Sequence, residues 1–141
     1  MIIACSPMKS NVNISTIARV SSCFGLELLI LTGNNKLVKD IARDYNIPVE
    51  FHRSLLHPLK DLKKLGYSII SLEQAKNSKE IYTFKWPKKS VLVLGNERKG
   101  ISEDILDISD HIVEIPVDGM PHSHNVAIAA SMAIYEYNRN I

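Results

Sequence analysis

The sequence has few cysteines, no long apolar run and almost no surplus of either charge. Only Cys5 and Cys23 occur in 141 residues, and they form neither a Cys-x-x-Cys pair nor a disulfide framework. A reduced, cytoplasmic protein is therefore expected. Apolar runs such as Leu28 to Leu31 and Val91 to Leu94 fall far short of the ~20 residues that span a bilayer. No charged segment followed by a long apolar one opens the chain, so neither a signal peptide nor membrane association is expected. Asn13-Ile14-Ser15 matches a glycosylation sequon, a triplet common by chance. Repeats, linkers and low-complexity segments are absent too.

What is present suits one globular domain over residues 1–141. Hydrophobic residues make up 45% and charged residues 23%, near globular averages. A chain of this length buries enough apolar surface to need no disulfide or metal staple. The net charge of +2 excludes a uniformly basic coat protein. Its distribution is uneven, with residues 1–70 carrying +4 and residues 71–141 carrying −2. Six acids and no base lie between Glu103 and Asp118. Any nucleic acid must meet a local basic face.

Strand and helix patterns alternate. Met1 to Cys5 reads as a strand, and Asn13 is the expected cap of a helix with Ile14, Ile17, Ala18 and Phe24 on its apolar face. Leu26 to Leu31 is a buried strand that ends at Gly33-Asn34-Asn35. Leu37, Val38, Ile41 and Tyr45 repeat at helical spacing, Val49 to His52 is a weak strand, and Leu59, Leu62 and Leu65 mark a helix stopped by Gly66. Tyr67 to Leu72 is a strand, and residues 73–89 read as a loop with a short helix. Val91 to Leu94 runs into Gly95, Ser102 caps a helix, His111 to Val117 is a strand broken by Pro116, and a long alanine-rich helix follows from Asn125. This alternation predicts an α/β fold with a mostly parallel sheet and helices on both faces. Ligands in such folds bind at the carboxyl ends of strands, which directs attention to loops 6–13, 95–101 and 117–125.

Each loop has a plain reading. Gly95-Asn96-Glu97-Arg98-Lys99-Gly100 has the glycine spacing of a P-loop, but Ile101 stands where the phosphate-binding lysine belongs. Taken alone it is a tight turn. His122-Ser123-His124 offers two imidazoles without the spacing for a metal's remaining ligands, so no metal is expected. No nucleophile elbow accompanies Ser123. Arg19 has a planar fork suited to phosphate, although most helical arginines are simply solvated. Lys85, Lys88 and Lys89 surround Trp86 as in nucleic-acid surfaces, unless Trp86 is core.

The order of three segments is more specific. Asn13-Ile14-Ser15-Thr16-Ile17-Ala18-Arg19 precedes Phe24-Gly25. Val91 to Leu94 leads into Gly95-Asn96-Glu97-Arg98-Lys99-Gly100-Ile101. Ile115-Pro116-Val117 leads through Ser123-His124-Asn125-Val126 to Ala133-Ile134-Tyr135-Glu136. Together they resemble the SpoU (TrmH) family of SPOUT-class RNA 2'-O-methyltransferases, over the whole chain and in the family's order. His124 stands where that family usually has Leu, Val117 where it often has Met, and Ser15 where a small Gly is frequent.

The resemblance implies a C-terminal deep trefoil knot, S-adenosylmethionine bound in the knot, and a homodimer whose active site is completed at the interface. It makes Arg19 the catalytic residue. Because arginine holds its proton firmly, the role expected for it is to hold phosphate and polarise the ribose hydroxyl. Asn13 would position Arg19 or the ribose, Glu97 would orient its loop or a basic partner, and Ser123 and Asn125 would line the ribose. Leu72, Gly95, Gly100, Ile115, Pro116, His124 and Asn125 would hold the cofactor. Arg19, Lys88, Lys89, Arg98 and Lys99 would bind RNA. Relatives acting on rRNA often carry an added N-terminal RNA-binding domain, and none is expected here, which favours tRNA. Two alternatives stay open: methylation of rRNA, and a non-catalytic RNA- or ligand-binding module of the same fold.

Overall fold

A computed structural model describes residues 1–33 and 38–141. The turn residues Asn34 and Asn35, and Leu37 of the expected second helix, lie outside the described residues. Strand β1 (Ile2–Cys5) leads to helix α1 (Asn11–Cys23), β2 (Leu28–Thr32), α2 (Val38–Asp44) and β3 (Val49–His52). Then come α3 (Leu56–Lys64), β4 (Ser68–Leu72), a two-residue β5 (Lys79–Glu80), β6 (Ser90–Leu94), α4 (Glu103–Ile108), β7 (His111–Glu114) and α5 (Val126–Asn140).

The strands form one sheet in the order β3-β2-β1-β6-β4-β7-β5, and every described pairing is parallel. The two central strands, β1 and β6, are buried along their whole length. Their unbroken apolar runs are what a strand covered on both faces requires. Alternate residues sort into two layers. Ile3, Cys5, Leu92 and Leu94 pack with Ile14, Ile17 and Ala18 of α1 and with Ala130 and Ile134 of α5. Ile2, Ala4, Val91 and Val93 pack with Leu59 of α3 and Ile105 of α4. Helices thus cover both faces, as predicted. Burial pushes the Cys5 thiol up to about 12, so it stays protonated and inert. Both cysteines are free.

Three local expectations change. Helix α1 starts a turn early: Ser10 is its cap, and the Ser10 hydroxyl accepts the Asn13 backbone N–H at 3.2 Å. Asn13 therefore lies inside the first turn, with its amide free for other partners. Residues 73–89 hold the expected short helix, a single 3₁₀ turn (Ile81–Thr83), and in addition an unexpected edge strand. Two residues are too few to show strand periodicity, and β5 exists because β7 offers it a partner. Finally, β7 stops at Glu114, before Ile115 and Pro116. Among the described residues no helix is long and apolar enough to cross a membrane.

Candidate active site

From β1 the chain turns to β2 on one side, while β6 pairs with β1 on the other. Ligand crevices open at the carboxyl edge beside such a reversal of strand order. A cavity of about 720 Å³ lies at that edge, between the ends of β4, β6 and β7 and the start of α5. The loop after β6 forms one wall. Asn96 and Gly100 exchange two backbone hydrogen bonds of 3.0 Å, closing the loop on itself. A Cβ on Gly95 would lie 2.5 Å from the Gly100 carbonyl carbon, so only glycine fits there. The Asn96 side-chain oxygen accepts from the Arg98 and Lys99 N–H groups at 2.9 and 3.0 Å, and its amide donates to Pro7 O at 2.8 Å. Arg98 and Lys99 are left exposed on the cavity rim.

A relay of side chains ties the three sequence segments together. Glu97 accepts from the Ser10 N–H at 3.0 Å, the Lys9 N–H at 3.3 Å and the Asn13 amide at 3.4 Å. Asn13 Oδ1 accepts from Asn125 Nδ2 at 3.1 Å. Asn125 Oδ1 caps α5 by accepting from the Ala127 and Ile128 N–H groups at 2.9 and 3.2 Å. Every amide orientation follows: a carboxylate accepts only, so Asn13 must turn its NH₂ towards Glu97 and its oxygen towards Asn125. Partial desolvation works to raise the Glu97 carboxyl. Hydrogen bonds from the backbone of Ser10, Glu97 itself and Lys9, and from the Asn13 amide, outweigh it and hold the group below the usual carboxylate range.

The residues expected to hold a cofactor are mostly gathered here. Leu72, Gly95, Gly100 and Ile115 line the cavity, as do His124 and Asn125. Ser123 and Glu97 line it as well. Pro116 does not; it lies past the end of β7, beyond the cavity-lining Ile115. Asn13 stands behind the wall, reaching it through Glu97 and Asn125. Arg19 is exposed, about 9 Å further along α1 than Asn13, and is not among the lining residues. Lys88 and Lys89 precede β6 and so lie at the opposite end of that strand from the cavity loop. The Lys89 ammonium is occupied by Leu65 O at 2.6 Å and by the face of Tyr67. Trp86 is core, packed edge-on against Phe84 and Tyr137, so that basic stretch has no aromatic to offer a base.

Sequence reasoning missed the loop after β4. Glu73, Gln74 and Ala75 line the cavity. Glu73 accepts the Ile101 N–H at 2.9 Å, and Gln74 donates to His122 O at 3.1 Å. The carboxyl-edge rule, applied to Tyr67–Leu72 as to the other strands, points to this loop too. Among the described residues no cluster of His, Cys, Asp and Glu could hold a metal ion.

A parallel α/β domain with a glycine-walled cavity at its strand ends defines a ligand-binding class of fold. Its sequence places it further: residues 1–135 match the SpoU rRNA methylase family, and the chain belongs to that family. It is similar to the mouse tRNA (guanosine(18)-2'-O)-methyltransferase TARBP1, 32% identical over 99% of this chain and 9% of that protein. It also resembles the tRNA (guanosine(18)-2'-O)-methyltransferase of Aquifex aeolicus, 36% identical over 57% of this chain and 38% of the relative. The chain thus spans well under half the length of these curated relatives. In structure it is similar to the A. aeolicus TrmH/SpoU tRNA-modifying enzyme, with a TM-score of 0.84 and 26% identity over 99% of this chain and 74% of that one. The SpoU methyltransferase AviRb from Streptomyces viridochromogenes, solved in complex with AdoMet, shares the fold at a TM-score of 0.80 and 19% identity, over 99% and 59% of the two chains.

Proposed function

We propose that this chain is the catalytic domain of an S-adenosylmethionine-dependent RNA 2'-O-methyltransferase acting on tRNA. The observation that carries this reading is the meeting of three distant segments at Asn13, Glu97 and Asn125, with Glu97 and Asn125 on the wall of one cavity and Asn13 joining them from behind. The relatives named for methylation of a tRNA guanosine support the substrate, and the AdoMet complex of a neighbour of the same fold supports the cofactor.

The residues present fit that cofactor. A cavity of about 720 Å³ lies within the range that takes a ligand of this size. The wall at Gly95 and Gly100, where a Cβ would strike backbone or the Glu73 carboxylate, lets main-chain groups approach it. Leu72, Gly95, Gly100, Ile115, His124 and Asn125 would hold it, and when bound it supplies an electrophilic methyl group.

The chain's own contribution is alignment. A ribose hydroxyl is a weak nucleophile at neutral pH and reacts when held in line with its target. Ser123 and Asn125, at the start of α5, would hold the ribose. The Glu97–Asn13–Asn125 relay keeps Asn125 in place. Arg98 and Lys99 on the rim would meet phosphates. Arg19 would hold the phosphate next to the reacting ribose and polarise its hydroxyl, with the proton passing to phosphate or water.

A homodimer belongs to this reading, because Arg19 stands outside its own chain's cavity. Val12 precedes Arg19 by seven residues, two helical turns, so both share one face of α1, and Val12 is 75% exposed. Ile128, Met132 and Tyr135 form a second exposed stripe along α5 at helical spacing. A second copy covering these apolar faces would bring Arg19 to a shared site. A deep trefoil knot belongs to it as well, on the strength of the family the chain belongs to. Two free thiols support a cytoplasmic setting.

The test is methyl transfer from labelled S-adenosylmethionine to unmodified tRNA and, in parallel, to rRNA fragments, with the product nucleoside mapped by mass spectrometry. Ribose methylation of tRNA is expected. Binding of cofactor and RNA without transfer would establish the non-catalytic module instead.

A further inference from the structure

The loop after β6 is anchored from two sides. On the α1 side, Asn96 bonds to Pro7 O, and Glu97 bonds to the N–H groups of Lys9 and Ser10. On the β4 side the anchor is Glu73. Its own N–H donates to Val113 O at 3.0 Å, which fixes its backbone as a continuation of the sheet. Its Oε2 accepts the Ile101 N–H at 2.9 Å, and its Oε1 takes the Gln74 N–H at 3.1 Å. The carboxylate lies beside Gly100, close enough that a Cβ there would collide with Oε2. Gly100 has φ +67°, and Ile101 is buried. This end of the loop is therefore held by the Glu73 side chain together with the backbone pair between Asn96 and Gly100.

We infer that Glu73 is a positioning residue for the cofactor cavity: its carboxylate holds the Gly100–Ile101 backbone where the cavity wall needs it. The inference rests on the proposed function for the identity of the ligand, and on hydrogen-bond geometry for the rest. Without an acceptor on Glu73 the Ile101 N–H loses its partner beside buried neighbours, a costly state for a backbone donor. The loop end relieves that cost by shifting, and the cavity loses its shape at Gly100. A glutamine keeps one carbonyl oxygen at the same reach for the Ile101 N–H and gives up only the exposed bond from the Gln74 N–H. An aspartate, one methylene shorter, does not reach.

The experiment compares the wild type with Glu73→Ala, Glu73→Gln and Glu73→Asp. S-adenosylmethionine binding is followed by calorimetry, and Ile101 amide exchange is followed in the protein without ligand. Removing a charged acceptor from a backbone N–H is expected to weaken binding about tenfold or more in Glu73→Ala and Glu73→Asp, with Glu73→Gln within about threefold of wild type. KM for the cofactor should rise while kcat at saturation is kept. Ile101 exchange should quicken in the Ala and Asp variants alone. If Glu73→Ala does not fold, the Asp and Gln pair makes the same comparison. Unchanged affinity and exchange in Glu73→Asp would overturn the inference. Equal weakening in Glu73→Gln would overturn it too, because charge rather than reach would then matter. A wild-type protein that binds no S-adenosylmethionine would overturn the functional reading itself. Wild-type binding with an indifferent Glu73 would overturn only this inference.

Discussion

Asn125 donates its side-chain N–H to Asn13 Oδ1 at 3.1 Å, across 112 positions of sequence. The bond joins the cap of α5 to the first turn of α1, and Asn13 passes the connection on to Glu97. One amide thus holds both helix starts against the cavity loop.

Replacing Asn13 by alanine should uncouple them. Glu97 loses a donor and Asn125 loses an acceptor, two bonds each worth about 1 kcal/mol, more for the one to the carboxylate. Asn13→Ala is expected to destabilise the fold by about 1–3 kcal/mol and to lower methyl transfer well beyond that. Chemical denaturation and a transfer assay on the same preparation would check both. Activity loss with unchanged stability would place Asn13 on the ribose rather than in the scaffold.

Arg19→Ala should behave in the opposite way. Arg19 is exposed and, among the described residues, takes part in no ion pair or side-chain hydrogen bond. Stability should change by less than about 0.5 kcal/mol. Calorimetry should show cofactor affinity nearly unchanged while transfer is abolished. Retained transfer would remove Arg19 from the mechanism.

The hydrogen bonds to Glu97 carry a pH signature. Its carboxyl is held below the usual carboxylate range in the folded protein. The stabilisation is therefore fully present above the ordinary carboxylate range and is lost as pH falls through the lowered folded value. Unfolding free energy should decline on the acid side, and Glu97→Gln should decline less steeply. Parallel acid limbs in denaturant titrations would contradict this.

Two glycines separate backbone strain from contact. Gly25 has φ +61° and nothing within 4 Å of where a Cβ would sit, whereas Gly100 has φ +67° with the Glu73 carboxylate in the way. Gly25→Ala is expected to cost about 1 kcal/mol for the left-handed conformation. Gly100→Ala should cost about 1–3 kcal/mol and weaken cofactor binding as well. Equal costs and intact binding would mean that Glu73 yields freely.

Much of this architecture is legible in the chain. Val91 to Leu94 and Leu28 to Leu31 are apolar without interruption because a strand covered on both faces has no solvent side. Their alternation with helical patterns is enough to predict the parallel sheet. The cap of α1 is not legible at the right residue. Ser10 and Asn13 are both good caps, and the choice falls to Glu97, which is drawn from 84 residues away and occupies the Asn13 amide. The β4 loop escapes notice for a related reason: Glu73 has no motif of its own, and its role emerges only opposite Ile101.

By itself, the sequence determined the two-layered α/β pattern, the glycine loop after β6 and the three segments that mark the family, because periodicity and turn chemistry are local. The tertiary structure alone decided that Asn13, Glu97 and Asn125 meet, that Glu73 braces Gly100, that Trp86 is core, and that Arg19 stands outside its own cavity. Those outcomes depend on which distant groups a strand order brings within hydrogen-bonding distance, and no local pattern encodes that order.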